Sequence, residues 1–152
     1  MNKRTFTVLK AGIIVGTLDI LSAFLYFYLA TGKNPLFIFR YIASALLGPA
    51  AFSGGAAIYI TGLLMHYLVA FLFTVFFFWL YPRLNILKRN PVVTGIFYGL
   101  FIWVVMNLVV VPLSRIGKFP GSVSGILINA AILILLIGIP LSFMARRYYR
   151  KL

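Results

Sequence analysis

Long apolar runs separated by short polar joints make up nearly the whole chain. Four of them, at about 8–30, 56–80, 91–111 and 122–144, reach or exceed the roughly 20 residues a helix needs to cross a hydrocarbon core. The strands of a membrane barrel would instead alternate in character over about 10 residues. A lone strand would leave its backbone groups unpaired in lipid. The pattern therefore predicts an all-α fold, a four-transmembrane-helix bundle that occupies residues 1–152 as a single membrane domain.

The joints refine this. Thr31-Gly32-Lys33-Asn34-Pro35 ends the first span. The stretch 36–47 is apolar but carries Arg40, and Gly48-Pro49 breaks it. Twelve residues give about 18 Å of helix, too short to cross. A fifth span over 36–52 would bury Arg40 and split the basic ends across the membrane. A short interfacial or re-entrant helix is the expectation, with Arg40 and Ser44 on one face. Ser53-Gly54-Gly55 is a flexible entry to the second span, which Trp79 and Tyr81 close as interface anchors. Pro91 opens the third span at the first turn, where its missing N–H costs nothing. The N-terminal run is longer than the 7–15 residues of a signal peptide's apolar region, so it reads as a retained span.

Composition agrees, with 63% hydrophobic residues and a mean hydropathy of +1.08. Charge adds an orientation. There are 14 Lys and Arg against one acid, Asp19, for a net charge of +13. A soluble protein this basic would suggest nucleic acid. Here the cations sit in tails and loops, so the expected partner is the lipid bilayer and not nucleic acid. The N-terminus, the 82–90 loop and the C-terminus carry Lys3, Arg4, Lys10, Arg83, Lys88, Arg89, Arg146, Arg147, Arg150 and Lys151. The other side carries Lys33, Arg40, Arg115 and Lys118. The positive-inside rule then puts both termini in the cytoplasm. With no cysteine, no glutamate and one histidine, thiol chemistry, paired-carboxylate chemistry and a metal site are not expected, nor is any cofactor.

The chain repeats itself. Thr61-Gly62-Leu63-Leu64-Met65-His66 matches Ser124-Gly125-Ile126-Leu127-Ile128-Asn129 in residue type. Gly12-Ile13-Ile14-Val15-Gly16 matches Gly95-Ile96-Phe97-Tyr98-Gly99. Two tandem helical hairpins of the same orientation would be related by a pseudo-two-fold axis along the membrane normal. The pairs Gly12/Gly16 and Gly95/Gly99 let helix backbones approach closely, and helix packing is their expected role.

Ionisable groups inside a bilayer cost at least ~2.5 kcal/mol and are functional candidates for that reason. At 1.5 Å per residue, Asp19 lies about 16 Å from the end carrying the termini, His66 roughly 20 Å, and Asn107 and Asn129 about 22–24 Å. Each span thus places one strong hydrogen-bonding side chain in its middle-to-outer layer. One reading is an intramembrane polar or proton site, with Asp19 as proton or cation acceptor, His66 as relay and the asparagines orienting a ligand. The other is a satisfied network that fixes helix pairing at about 0.6 kcal/mol per bond. Arg40, Ser53, Gly54 and Gly55, at the N-terminus of the second span, form a candidate anion site on the outer side.

Several stretches resemble a known group. Gly62-Leu63-Leu64-Met65-His66, Leu80-Tyr81-Pro82-Arg83-Leu84, Thr94-Gly95-Ile96-Phe97-Tyr98-Gly99 and Val111-Pro112-Leu113-Ser114 resemble the small bacterial inner-membrane proteins of the YagU type over residues 56–145. The resemblance implies a bacterial inner membrane and a link to acid stress, without a reaction. In that pattern later spans also carry histidine, where this chain has Asn107 and Asn129. That departure weakens a histidine-based proton path here. The functional expectation is proton-linked or small-solute transport, not enzyme activity. Four short helices leave little room for a solute path in a monomer, so transport would favour a homo-oligomer. The alternative is an accessory subunit packed against a larger membrane partner.

Overall fold

The structure, a computed structural model, describes residues 2–117 and 122–150; Lys118 and Lys151, cited above, lie outside these residues. Among the described residues there are five helices and no strand. They are α1 (Lys3–Thr31), α2 (Phe37–Leu47), α3 (Ala56–Leu80), α4 (Pro91–Leu113) and α5 (Val123–Tyr149). All except α2 are long and apolar enough to cross a membrane.

Local chemistry sets the helix ends. The Asn2 side chain accepts from the Arg4 N–H and starts α1, and Asn90 accepts from Val92 and Val93 to start α4 beside Pro91. Ser122 accepts from the Gly125 N–H to start α5. Each cap satisfies N–H groups that the first turn leaves open. Gly32 ends α1 in a left-handed conformation, φ 65°, and its N–H returns to the Tyr28 carbonyl. The terminal helices run further than the hydropathy pattern indicates. Polar residues extend α1 back to Lys3, and Arg146 and Arg147 occupy the last turn of α5, where cations favour the helix dipole.

α4 and α5 each contain one π-helical segment, Val105–Val110 and Leu133–Gly138. Both end two residues before a proline, Pro112 and Pro140. Proline has no N–H to close the turn, and its ring pushes on the carbonyl four residues back. Widening the preceding turn relieves that contact, and such insertions are a recognised cause of helix bending. Pro112 lies inside the third spanning helix, one residue past the boundary expected from hydropathy.

Packing follows the glycines. A Cβ on Gly95 or Gly99 would lie 2.5 Å from the Cα of Ile139 or Ile134, so α4 and α5 touch backbone to backbone. Gly12 and Gly16 on α1 sit against Phe71, Tyr67 and Ala70 of α3. In both halves the glycine pair of the odd span thus meets the even span that follows it. α1 also packs on α5. α3 and α4 meet through aromatic side chains: the Tyr98 hydroxyl donates to the Phe73 carbonyl at 2.6 Å, and the Phe77 and Tyr98 rings lie 4.4 Å apart.

The bundle has two unlike ends. At the termini end, Ala11, Phe77, Phe78, Tyr81, Leu141 and Ala145 are buried in a closed core. The Phe78 carbonyl there accepts from both Arg4 and the Tyr149 hydroxyl, which ties the start of α1 and the end of α5 to the end of α3. At the other end α2 lies on α3 so closely that a Cβ on Gly62 would strike the Phe39 carbonyl. The Arg115 N–H donates to the Ala45 carbonyl at 3.1 Å and joins the segment after α4 to α2. The short interfacial or re-entrant helix expected here is α2, and it is a packed part of the bundle. Among the described residues the second half has no copy of it: Gly125, the counterpart of Gly62, has no backbone against it, and the first ten residues of α5 bury none of their side chains.

Candidate functional site

The four spanning helices and α2 leave a cavity of about 280 Å³ in the half of the bundle away from the termini. Phe73, Ile102 and Ile137 form its floor at mid-bundle. Tyr41, Ala45, Ser114 and Ile116 form its rim. The wall is mostly aliphatic. Asp19 of α1, His66 of α3, Asn107 of α4 and Asn129 of α5 all line it.

Asp19 and His66 are neighbours: His66 Nδ1 lies 4.0 Å from Asp19 Oδ2. That is too long for a hydrogen bond but close enough for their charges to interact. The other ring nitrogen decides the tautomer. His66 Nε2 is 2.8 Å from the Gly16 carbonyl oxygen, which can only accept. The proton therefore sits on Nε2. Nδ1, left with a lone pair, is the nitrogen turned towards the carboxylate. Gly16 has two roles here: lacking a side chain, it lets α3 close in, and its carbonyl orients the imidazole. The hydroxyls of Thr17 and Tyr67 meet at 2.7 Å one residue along on both helices, and the Tyr67 ring stands edge-on to His66. The imidazole is 9% exposed and the Asp19 side chain 25%.

Asn107 is buried within the π segment of α4, and its amide donates to the Trp103 carbonyl at 2.9 Å. Asn129 lies on the loosely packed first half of α5. The asparagines thus differ: one is tied into its own helix, and the other sits on a wall with few neighbours.

Two polar lining residues escaped the sequence reading. Tyr41 and Ser114 are at the rim, and the Tyr41 hydroxyl is buried without a hydrogen-bond partner among the described residues. Tyr41 follows Arg40 in the chain. It could be recognised only once α2 was known to pack inward.

Arg40 lies outside the cavity. Its guanidinium donates to the Tyr59 hydroxyl at 2.9 Å, to the Phe52 carbonyl and to the Gly54 carbonyl at 3.0 Å, and stacks over the Tyr59 ring. Ser53 Oγ donates to the Ala50 carbonyl. These bonds clamp the α2–α3 turn and leave the guanidinium two N–H groups for any other acceptor. Among the described residues no group of three or more His, Cys, Asp or Glu could hold a metal ion.

No family model matches the chain, and neither the curated proteins nor the solved structures contain a match.

Proposed function

We propose that this chain is a membrane transporter that couples the movement of a small, largely apolar solute to a proton carried between Asp19 and His66. The observation carrying the reading is that all four spanning helices contribute their one strong polar side chain to one cavity, closed by an aromatic core at the termini end. A satisfied structural network would leave no such space beside the groups. Nor would it turn the Nδ1 of His66 towards a carboxylate it does not bond. At this separation and an effective dielectric of roughly 20, an imidazolium–carboxylate pair gains on the order of 4 kcal/mol. Moving one proton therefore changes the charge balance facing a solute by an amount that matters. Tyr41 and Asn129 add hydrogen-bonding groups for a solute with one or two polar atoms. The bend-prone π segments of α4 and α5 flank the cavity and supply the compliance that opening and closing needs.

The same proposal puts the protein in a bacterial inner membrane with cytoplasmic termini. The basic residues at the termini end support this, as does the likeness to the YagU-type proteins.

The test is proton uptake into dye-loaded proteoliposomes after an external acid jump. It is run without solute and then with short-chain weak acids, polyols and neutral amino acids in turn. Uptake above that of empty liposomes in any arm, lost in Asp19→Asn, supports the reading. Wild type matching Asp19→Asn in every arm refutes it.

One observation favours a second reading, an accessory subunit. The first half of α5 lacks the cover that α2 gives its counterpart on α3. A partner protein seated there would co-purify at fixed ratio and be released by Gly125→Trp.

A further inference from the structure

The chemistry proposed above occupies one end of the bundle, and a different set of groups converges at the other. Beside the termini, the 82–90 loop and the end of α5 enclose a cleft of about 330 Å³ lined by Tyr81, Pro82, Lys88, Arg146, Tyr149 and Arg150. A second hollow, against Phe143 and Arg147, shares Arg146 and Arg150 with it.

Two other cations at this end are occupied. Arg4 donates to the Phe78 carbonyl, and Arg83 donates to the Trp79 carbonyl and lies over its ring. Lys88 Nζ is steadied by Asn85 Oδ1 at 2.9 Å, with two N–H groups to spare. Among the described residues neither Arg146 nor Arg150 donates a side-chain hydrogen bond. These two are one helical turn apart, where like charges repel. No acidic side chain is near, since Asp19, the only one in the sequence, lies in the cavity of the other half. The cleft is pre-shaped: the Tyr81 and Tyr149 rings stack at 5.5 Å, and the Tyr149 hydroxyl is turned inward to Phe78. Burial raises the Tyr81 phenol above its ordinary value, with Arg146 partly offsetting this, so the phenol stays neutral and the cleft cationic. The negative end of the α5 dipole opposes an anion, but at about half a charge it is outweighed by three cations.

We propose that Lys88, Arg146 and Arg150 bind a phosphate group, that of an anionic phospholipid whose acyl chains leave along Phe143. Two arginines and a lysine around a cleft fit the oxygens of one phosphodiester. Phe143 is half-exposed on the same helix, one turn towards the bilayer. It favours the lipid over a free phosphate, which has no use for an apolar wall. Basic pockets at helix ends recognise headgroups in this way.

The experiment uses purified full-length protein in neutral detergent, titrated separately with phosphatidylglycerol, phosphatidylcholine and sodium phosphate. Retained ligand is counted by native mass spectrometry, and Tm is followed in parallel. Phosphatidylglycerol should be held about tenfold or more tighter than phosphatidylcholine. Arg146→Gln with Arg150→Gln should lose that preference. Lys3→Gln with Lys10→Gln removes the same charge from the same end and should keep it. Lys88→Gln, in an exposed loop, should weaken binding several-fold and stands in if the arginine pair fails to fold. Competition by millimolar phosphate would support the same site with a soluble source. No preference for either anion, or equal losses in both double variants, would overturn the proposal.

Discussion

Substituting Gly95 or Gly99 by alanine tests the close contact of α4 and α5 on which the cavity wall depends. The added Cβ would meet the Cα of Ile139 or Ile134 at 2.5 Å, over an ångström inside ordinary contact. The struck atoms are backbone and cannot turn aside, so the helices must part. Overpacking of this kind costs about 1–3 kcal/mol, and with rigid atoms on both sides the upper figure applies. Alanine's better helix propensity returns about 1 kcal/mol. The net loss is about 2 kcal/mol per substitution, or roughly 30-fold in the unfolding equilibrium. A single parting of the helices relieves both clashes, so the double variant should cost less than the sum of the singles. At Gly12 the struck atoms belong to the Phe71 ring, which can swing, and alanine there should cost under ~1 kcal/mol. A Cβ on Gly55 meets nothing, making Gly55→Ala the control. Reversible SDS unfolding in mixed micelles, followed by circular dichroism, reads all five variants. Gly95→Ala and Gly99→Ala matching Gly55→Ala in stability would refute the reasoning.

Arg40→Gln removes three charge-assisted bonds from the α2–α3 turn, each worth about 1.5–3 kcal/mol when made to a charged group. Amide hydrogen exchange over 48–55 should rise sharply, and Arg40→Lys should restore only part of the protection. Since the chain has no cysteine, single cysteines report access cleanly. Asn107→Cys and Asn129→Cys should react with a small water-soluble methanethiosulfonate, and Phe77→Cys in the closed core should not. Equal labelling at all three would rule out a sided cavity. Tyr81 sets a pH limit. Its folded-state value is raised, so its contribution is complete below the ordinary value of 10.0 and is lost as pH climbs above that. Stability should fall above about pH 10, and Tyr81→Phe should flatten the fall; an unchanged profile in Tyr81→Phe would exclude this cause.

Much of the architecture was legible because lipid leaves few solutions. A continuous apolar run of 25 residues has to be a helix, and the second span, expected at about 56–80, is the helix Ala56–Leu80. The candidate polar residues were legible for the same reason: Asp19 and His66 have no cheap place in hydrocarbon except beside one another or beside water. Features set by contact were hidden. Pro112 reads as the start of a loop because proline usually ends a helix. The π turn before it depends on what packs around Asn107. The inward face of α2, and Tyr41 with it, was concealed because a twelve-residue apolar stretch with an arginine has the composition of an interfacial helix. Only the fit of Phe39 against Gly62 settles its position.

The two π segments also set a register. An α-helix advances about 100° per residue, so one extra residue in a turn rotates everything beyond it by that angle. Asn129 and the first half of α5 therefore present a face that strict α geometry would point elsewhere, and the final turns of α4 are displaced in the same manner. Loss of one residue from Leu133–Gly138 would turn Asn129 off the cavity wall while keeping every apolar side chain in oil. Hydropathy would register no change, and the membrane would accept either form. The alignment of the polar groups is thus held by a count of residues, and insertion or deletion is the kind of mutation to which this protein is most vulnerable.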